Sequence, residues 1–553
     1  MQTRLTLKLL AGLILAVLMI PAVQAKKDLT TEIIRDKITQ IRFFEEVKLG
    51  EAPIASTKVL PDIYDQRKFQ PIWTDAEAIF QLLNAVSRIA EDGLNPQDYH
   101  LNELRLYHKA IQAIGTNDPW LSADFDILLT DSFIRLVYHL YFGKVDPTTL
   151  NPGWNLSRQL NLHNPARFIL DIIRSGSAAS TIESLKPQHP TYLRLKAALA
   201  KYRDIQAKGS WPRISEGSVL RKGDRDPRVA RIRQRLAMTD GVSAVNDDPE
   251  FFDESLEKAV KRFQTREEID PDGVVGHPTL IELNYPVEWR IDQIRANLER
   301  MRWYLHDLPQ RFVVVDIAGF LINFFERNRI AWTTRAMVGD PYTQTPFFKA
   351  EIQYMVLNPT WTVPPGITNR EYLPMLRQNP DYLKQTDLQV IDSEGKFVSP
   401  DKIDWKRYTT RAFPYKFFQE PGPTNPLGRI KFICPNPQYI YLHDTPESEK
   451  FSETWRAFSG GCIRVEKPLQ FAVKLLDNDP KWPLEKIQNI IRSGKTRTIF
   501  LPHRVPVMFL YITVVVEQNG MIIFRDDVYR RDEAVIQGLD AAFEFKTAGL
   551  VNF

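Results

Sequence analysis

The chain has 553 residues, 43% hydrophobic and 25% charged, which are the proportions of folded globular protein with material for several cores. Its 72 basic and 68 acidic residues give a formal net charge of +4, which excludes the strongly basic surface of a nucleic-acid binder. Two cysteines are too few for a disulfide-built scaffold: either they pair with each other, or at least one is kept for chemistry.

At about 100 to 200 residues per domain, this length suggests three or four domains. Arg4 and Lys8, the apolar stretch Leu9 to Ile20, Pro21 and the small-residue end Val23-Gln24-Ala25 read as a signal peptide, residues 1–25. A retained anchor is the competing reading, but it needs ~20 apolar residues in a row and this run is shorter. Residues 26–210 read as a mostly helical scaffold. Ile79, Leu82, Leu83, Val86 and Ile89 recur at spacings of three and four before Gly93. "DFDILLTDSFIRLVYHLYFGKVDP" is a second strong helix, with Asp126 and Asp131 expected at caps or on the surface.

Residues 211–286 change to short helices. Asp226 and Asp253 are candidate caps, Pro227 suits a first turn, and Val229, Ile232, Leu236, Leu256, Ala259, Val260 and Phe263 form the inward lines. "LRKGDRDPRVARIRQRL", "AVKRFQ" and "DGVVGHPTL" resemble the small peptidoglycan-binding module of wall enzymes; a plain three-helix packing unit is the alternative. Residues 287–310 read as a linking helix. From 311 to 505 strands dominate, interrupted at about 366–423 by a proline-rich insertion that suits a lid over a groove. Residues 506–553 are expected to add strands turning at Asn519-Gly520, completing the scaffold or the strand-rich domain. The fold class is a multidomain α+β chain.

Two stretches carry reactive groups. In "QYIYLHDTP", strand alternation would put Tyr439, Tyr441 and His443 on one face and Ile440 and Leu442 in the core. In "RAFSGGCIRVE", Gly460 and Gly461 before Cys462 permit unusual backbone angles, and the amides of Gly461 and Cys462 are candidates to hold an oxyanion. A cysteine becomes a good nucleophile beside a cation or base, and His443 is the nearest upstream candidate.

"HDTP" followed by "RAFSGGCIRV", with "PGPTNPLGRIKF", "RFVVVDIAGF" and "DVYRRD", resembles the L,D-transpeptidase family, whose signature is a histidine followed by Ser-x-Gly-Cys. The helical first region and the binding module extend the resemblance to the long, multidomain, Gram-negative branch, over nearly the whole mature chain. It implies a YkuD-type, β-sandwich-like catalytic domain in the periplasm. Cys462 would be the nucleophile, ionised beside His443 as its base; the Gly460 carbonyl would orient the imidazole, and the Gly461 and Cys462 amides would form the oxyanion hole. Tyr441, Arg464 and Ser459 would contact substrate. Many relatives have His where this chain has Gly460 and Asn where it has Arg464.

The implied reaction is attack by Cys462 on the bond between meso-diaminopimelate and the terminal D-alanine of a tetrapeptide stem. The thioester then passes to a neighbouring diaminopimelate amine, giving a 3-3 cross-link. No metal or organic cofactor is implied, and both Cys434 and Cys462 would be free thiols. The implied partners are peptidoglycan stem peptides, carbapenem β-lactams as covalent inhibitors, and other cell-wall synthesis proteins. Tyr372 and Trp405 of the insertion would help keep water from the thioester. Rival outcomes are L,D-carboxypeptidase hydrolysis, attachment of a wall protein, and a non-catalytic wall-binding scaffold. A papain-like peptidase is disfavoured, because there the cysteine precedes the histidine.

Overall fold

A helix that is apolar on every side has to be buried on every side, and Pro119–Phe142 meets that condition: Leu128, Phe133, Leu136 and Leu140 are fully enclosed. In this computed structural model, which describes residues 29–44, 47–114, 118–151, 153–156, 165–175, 178–306, 308–408, 413–477 and 479–542, that helix is the axis of the scaffold. The expected signal peptide lies outside the described residues. Among those residues, no helix is long and apolar enough to cross a membrane.

Asp126 and Asp131 sit inside this core, not at caps or on the surface as expected. Asp126 accepts from the backbone N–H groups of Ile72 and Trp73 and from the Tyr64 hydroxyl. Burial pushes its carboxyl up to about 6. Asp131 accepts from the Ser56 N–H and pairs with His100 and Arg135, which hold it well below the usual carboxylate range. Both therefore fasten loops to a buried helix, and burying such groups is tolerable only with partners of this kind.

Helix Val287–Tyr304 is more than a link. It packs along Pro190–Ala207 and Asp532–Asp540, and Val287, Ile294 and Leu298 join the scaffold core. Its Arg302 and Glu299 pair in the interior, with Arg302 also donating to the Asp92 carbonyl. The segment beyond residue 506 divides three ways. Strand Arg497–Leu510 belongs to the large sheet, the hairpin Val514–Val516 with Ile522–Phe524 packs into the scaffold, and Asp532–Asp540 is a helix where strands were expected. The hairpin turns at Gly520, whose φ is 84°.

The middle unit follows its local signals closely. Its helices are Pro227–Ala237, Glu254–Arg266 and His277–Asn284. Asp226 caps the first through Arg228 N–H and Asp253 the second through Leu256 N–H. Val229, Ile232, Leu236, Leu256, Ala259, Val260 and Phe263 form their own core.

The strand-rich domain is one nine-stranded sheet. Its strands are β1 (Arg311–Asp316), β2 (Leu321–Glu326), β3 (Arg329–Gly339), β4 (Phe348–Leu357), β5 (Ile430–Ile433), β6 (Leu442–His443), β7 (Ala457–Ser459), β8 (Ile463–Val465) and β9 (Arg497–Leu510). The spatial order is β7-β3-β8-β6-β5-β4-β9-β1-β2, and a further pairing of β2 with β3 closes the sheet on itself. Helices Pro468–Leu476 and Leu484–Arg492 pack Phe471, Leu475 and Ile487 into its core. The insertion has a core of its own, from Trp361 to Leu427, around a four-stranded sheet. Trp405 and Tyr372 belong to that core: Trp405 is buried, and the Tyr372 ring lies against Trp361, Tyr382 and Phe417. They build the insertion instead of facing outward to exclude water.

Candidate active site

Sheet register gathers the reactive residues. β5 and β6 are antiparallel with Lys431 opposite His443, and β6 and β8 are parallel with His443 opposite Arg464. Residues directly opposite share a face, so Lys431, His443 and Arg464 form one row across three strands. Their neighbours Phe432, Leu442 and Ile463 point the other way and are completely buried. The Tyr441 and His443 rings lie 5.8 Å apart. Tyr441 also neighbours Cys462, just before β8, whose thiol donates to the Tyr439 carbonyl at 3.9 Å. Nucleophile and imidazole thus neighbour the same tyrosine.

Tyr439 does not join this face. Its φ of 57° takes it out of the strand, and it is 84% exposed. The alternation read from "QYIYLH" therefore begins only at Ile440.

The imidazole is oriented by a different carbonyl from the one expected. Nδ1 meets the main-chain oxygen of Asp444, not that of Gly460, and the Pro426 carbonyl also lies against the ring. Nδ1–H donating to a carbonyl leaves Nε2 with the lone pair. Asp444 is itself fixed: its carboxylate accepts from the N–H of Arg429 at 2.7 Å and of Thr445 at 2.8 Å. Sequence reasoning missed this role, although the aspartate directly follows the histidine.

The turn before Cys462 is locked from several sides. Ser459 is buried, and its hydroxyl donates to the Cys462 carbonyl while accepting from the Gly461 N–H at 3.1 Å. Ser459 is therefore spent on the turn and does not face substrate. The Gly461 N–H, expected in the oxyanion hole, is likewise taken. Among the described residues, the Cys462 N–H has no protein partner and remains a donor. The Ser459 carbonyl accepts from Asp340 N–H and from the Thr343 hydroxyl, and the Gly461 carbonyl from the Thr345 hydroxyl at 2.8 Å. Tyr529, from "DVYRRD", donates to the Gly339 carbonyl and accepts from Thr345 N–H, so the C-terminal segment braces the turn. Ser459→Ala removes both hydrogen bonds and leaves the Cys462 carbonyl and the Gly461 N–H without that partner. It is expected to cost about 1–3 kcal/mol in urea denaturation.

Charge and burial set the protonation states. Burial pushes the Cys462 thiol up, against the pull of neighbouring Tyr441, Lys431 and Arg464. Burial, with Arg464 and Lys431 on either side, lowers the His443 imidazole to about 3. Both shifts favour a neutral thiol and a neutral imidazole over the ionised sulfur expected. Arg464 forms an ion pair with Glu447. Lys431 holds its ammonium 3.7 Å above the Tyr441 ring centre. Both cysteines are free; Cys434 is buried and its thiol is raised to about 12. Among the described residues, no cluster of His, Cys, Asp or Glu could hold a metal ion.

The insertion borders this site. Tyr441 packs against its core, and Ile367 Cδ1 lies 4.0 Å from where a Cβ on Gly460 would stand.

Comparison with known proteins agrees with this geometry. Residues 310–484 match the family described as "L,D-transpeptidase catalytic domain", residues 58–199 one described as "Scaffold domain", and residues 225–283 one described as "Putative peptidoglycan binding domain". A curated Haemophilus influenzae protein described as "Putative L,D-transpeptidase" is 31% identical over 223 residues, covering 40% of this chain and 45% of that one. The chain thus matches less than half the length of this relative. Among solved structures, an L,D-transpeptidase fragment from Xylanimonas cellulosilytica is 13% identical and overlaps 54% of this chain and 99% of its own, at a TM-score of 0.16. A fused zinc-dependent amidase/peptidase with a peptidoglycan-binding domain from Clostridium acetobutylicum is 12% identical, overlapping 53% and 100%, at a TM-score of 0.14. Structural likeness at that level decides nothing about this chain.

Proposed function

Since the chain is a multidomain protein with a YkuD-type L,D-transpeptidase catalytic domain and a peptidoglycan-binding module, we propose that it forms 3-3 cross-links between peptidoglycan stems through a thioester on Cys462. The observation that supports this most is that Cys462 and His443 are both neighbours of Tyr441, with Lys431 and Arg464 in one register row with His443.

In this reading, Sγ attacks the diaminopimelate carbonyl as Nε2 of His443 takes the thiol proton. The Cys462 N–H and the Tyr441 hydroxyl donate to the oxyanion, because both are protonated donors beside the sulfur. The imidazolium gives its proton to the departing D-alanine amine, and the thioester remains. An acceptor diaminopimelate amine then attacks, loses its proton to Nε2, and the sulfur leaves as a thiol. No metal or organic cofactor enters these steps. The insertion beside Gly460 limits water at the thioester, which favours transfer over carboxypeptidase hydrolysis. Carbapenems would acylate the same sulfur. Export to the periplasm by residues 1–25 puts the enzyme with its substrate, and the module at 211–286 holds it to the wall. Work alongside other cell-wall synthesis proteins fits the same setting.

The test is to incubate the purified protein with disaccharide-tetrapeptides and weigh both protein and products. A cross-linked dimer lacking one D-alanine, with an acyl-enzyme intermediate, is expected. Cys462→Ala yielding the same dimer would refute the proposal. Release of D-alanine with no dimer would favour the carboxypeptidase reading.

A further inference from the structure

A cation held half-buried at a reactive centre normally has an anion against it, because removing an ammonium from water is costly unless its charge is met. At this site one of the two cations lacks that partner. Arg464 is paired with Glu447, which also accepts from Lys450. Lys431 forms no ion pair among the described residues; its neighbours are the Tyr441 ring face, 3.7 Å below the ammonium, and the Cys462 sulfur. The register holds it there: Lys431 is directly opposite His443, and β5 is tied on its other edge to β4 through Lys431 opposite Val356. Tyr441 itself is pinned between the insertion core and the sulfur. Such a lysine is preorganised, and a stem peptide arriving at Cys462 supplies the missing charge. In a tetrapeptide, the carboxylate of the terminal D-alanine is one residue from the carbonyl that the sulfur attacks.

We propose that Lys431 is a specificity-determining residue whose ammonium binds the terminal carboxylate of the donor stem, so that the site selects a donor ending one residue beyond the scissile bond. This rests on the transpeptidase reading above and adds to it the group that reads the donor's end. When D-alanine leaves, that carboxylate leaves with it, and the lysine no longer holds the product in the donor half of the site. A longer stem would place a neutral amide at the ammonium and forfeit the charge-assisted contact.

The experiment compares two donors, a tetrapeptide with a free terminal carboxylate and the same peptide ending in a carboxamide. The rate of Cys462 acylation is followed by intact mass in the full-length protein and in Lys431→Met and Lys431→Arg. A charge-assisted hydrogen bond is worth about 1.5–3 kcal/mol, so the native protein should prefer the acid over the amide by about 10- to 100-fold in kcat/KM. In Lys431→Met that ratio should collapse to near 1, chiefly through KM for the acid. In Lys431→Arg most of it should survive. A merely structural lysine would lower both donors together and leave the ratio standing, and that result overturns the assignment. A native ratio near 1 overturns it as well. If neither donor acylates the native protein, the transpeptidase reading itself fails; if both do and only the ratio ignores Lys431, that reading stands and this inference alone falls.

Discussion

His443→Ala is expected to slow acylation of Cys462 by stem peptide about 10²- to 10⁴-fold, the usual contribution of a positioned general base. Alkylation of the same thiol by iodoacetamide below pH 8 should hardly change. The two outcomes differ because the resting pair is neutral. Burial raises the thiol and, with Arg464 and Lys431, drives the imidazole down to about 3, so the histidine accepts a proton only as the sulfur attacks. A thiolate–imidazolium pair would instead show a reactive plateau through pH 5 to 8 that vanishes with the imidazole, and observing that plateau would refute the neutral state.

The direction of the histidine shift fixes two pH dependences. The folded imidazole stays neutral from about 3 upward, whereas an unfolded one takes its proton near ~6.5. The acid limb of kcat/KM should therefore not appear between pH 6.5 and 5. For stability, the unfolded chain binds the extra proton first as pH falls. The contribution from the neutral buried ring is complete above about 6.5 and is lost progressively as pH falls toward 3. Urea midpoints measured at pH 7 and pH 4.5 would reveal it as a drop that is smaller in His443→Ala.

The parts of this molecule legible in sequence are those decided by near neighbours. Asp226 and Asp253 accept from N–H groups two and three residues ahead of themselves, so the first two helices of the small module followed from spacing. Cys462 and His443 stood out because each sits in a short, unusual stretch. What stayed hidden depends on distant partners. Nothing local tells Asp126 that Ile72 and Trp73 will offer it their amides, nor that Val514 to Phe524 will fold back into a core that begins at Ile33. Lys431 looks like the exposed member of an alternating strand until its register with His443 is known. The Gly460 carbonyl was a reasonable guess for the imidazole, but Asp444 is adjacent in sequence and its carbonyl reaches Nδ1 first.

The glycine pair before the nucleophile gives the last test, because its two members are not equivalent. Gly461 has a φ of 116°, a backbone region closed to other residues without strain of about 1–3 kcal/mol. A Cβ there would also meet Ile440 Cδ1 at 3.4 Å and the Thr343 carbonyl at 3.6 Å. Gly460 lies outside that region, and the nearest atom to its Cβ would be Ile367 Cδ1 at 4.0 Å. Gly461→Ala should therefore force the turn to relax and carry the Cys462 sulfur and N–H away from their positions. A misplacement of ~1 Å is enough to cost about 10²-fold in acylation rate. Gly460→Ala should keep that rate within a few-fold of native, and both variants should still fold, with a lowered Tm for Gly461→Ala alone. Equal losses from the two substitutions would mean that open space beside the sulfur, not the backbone angle, is what the glycines provide. The Ser459 lock would then have to be understood as holding a shape that tolerates either residue.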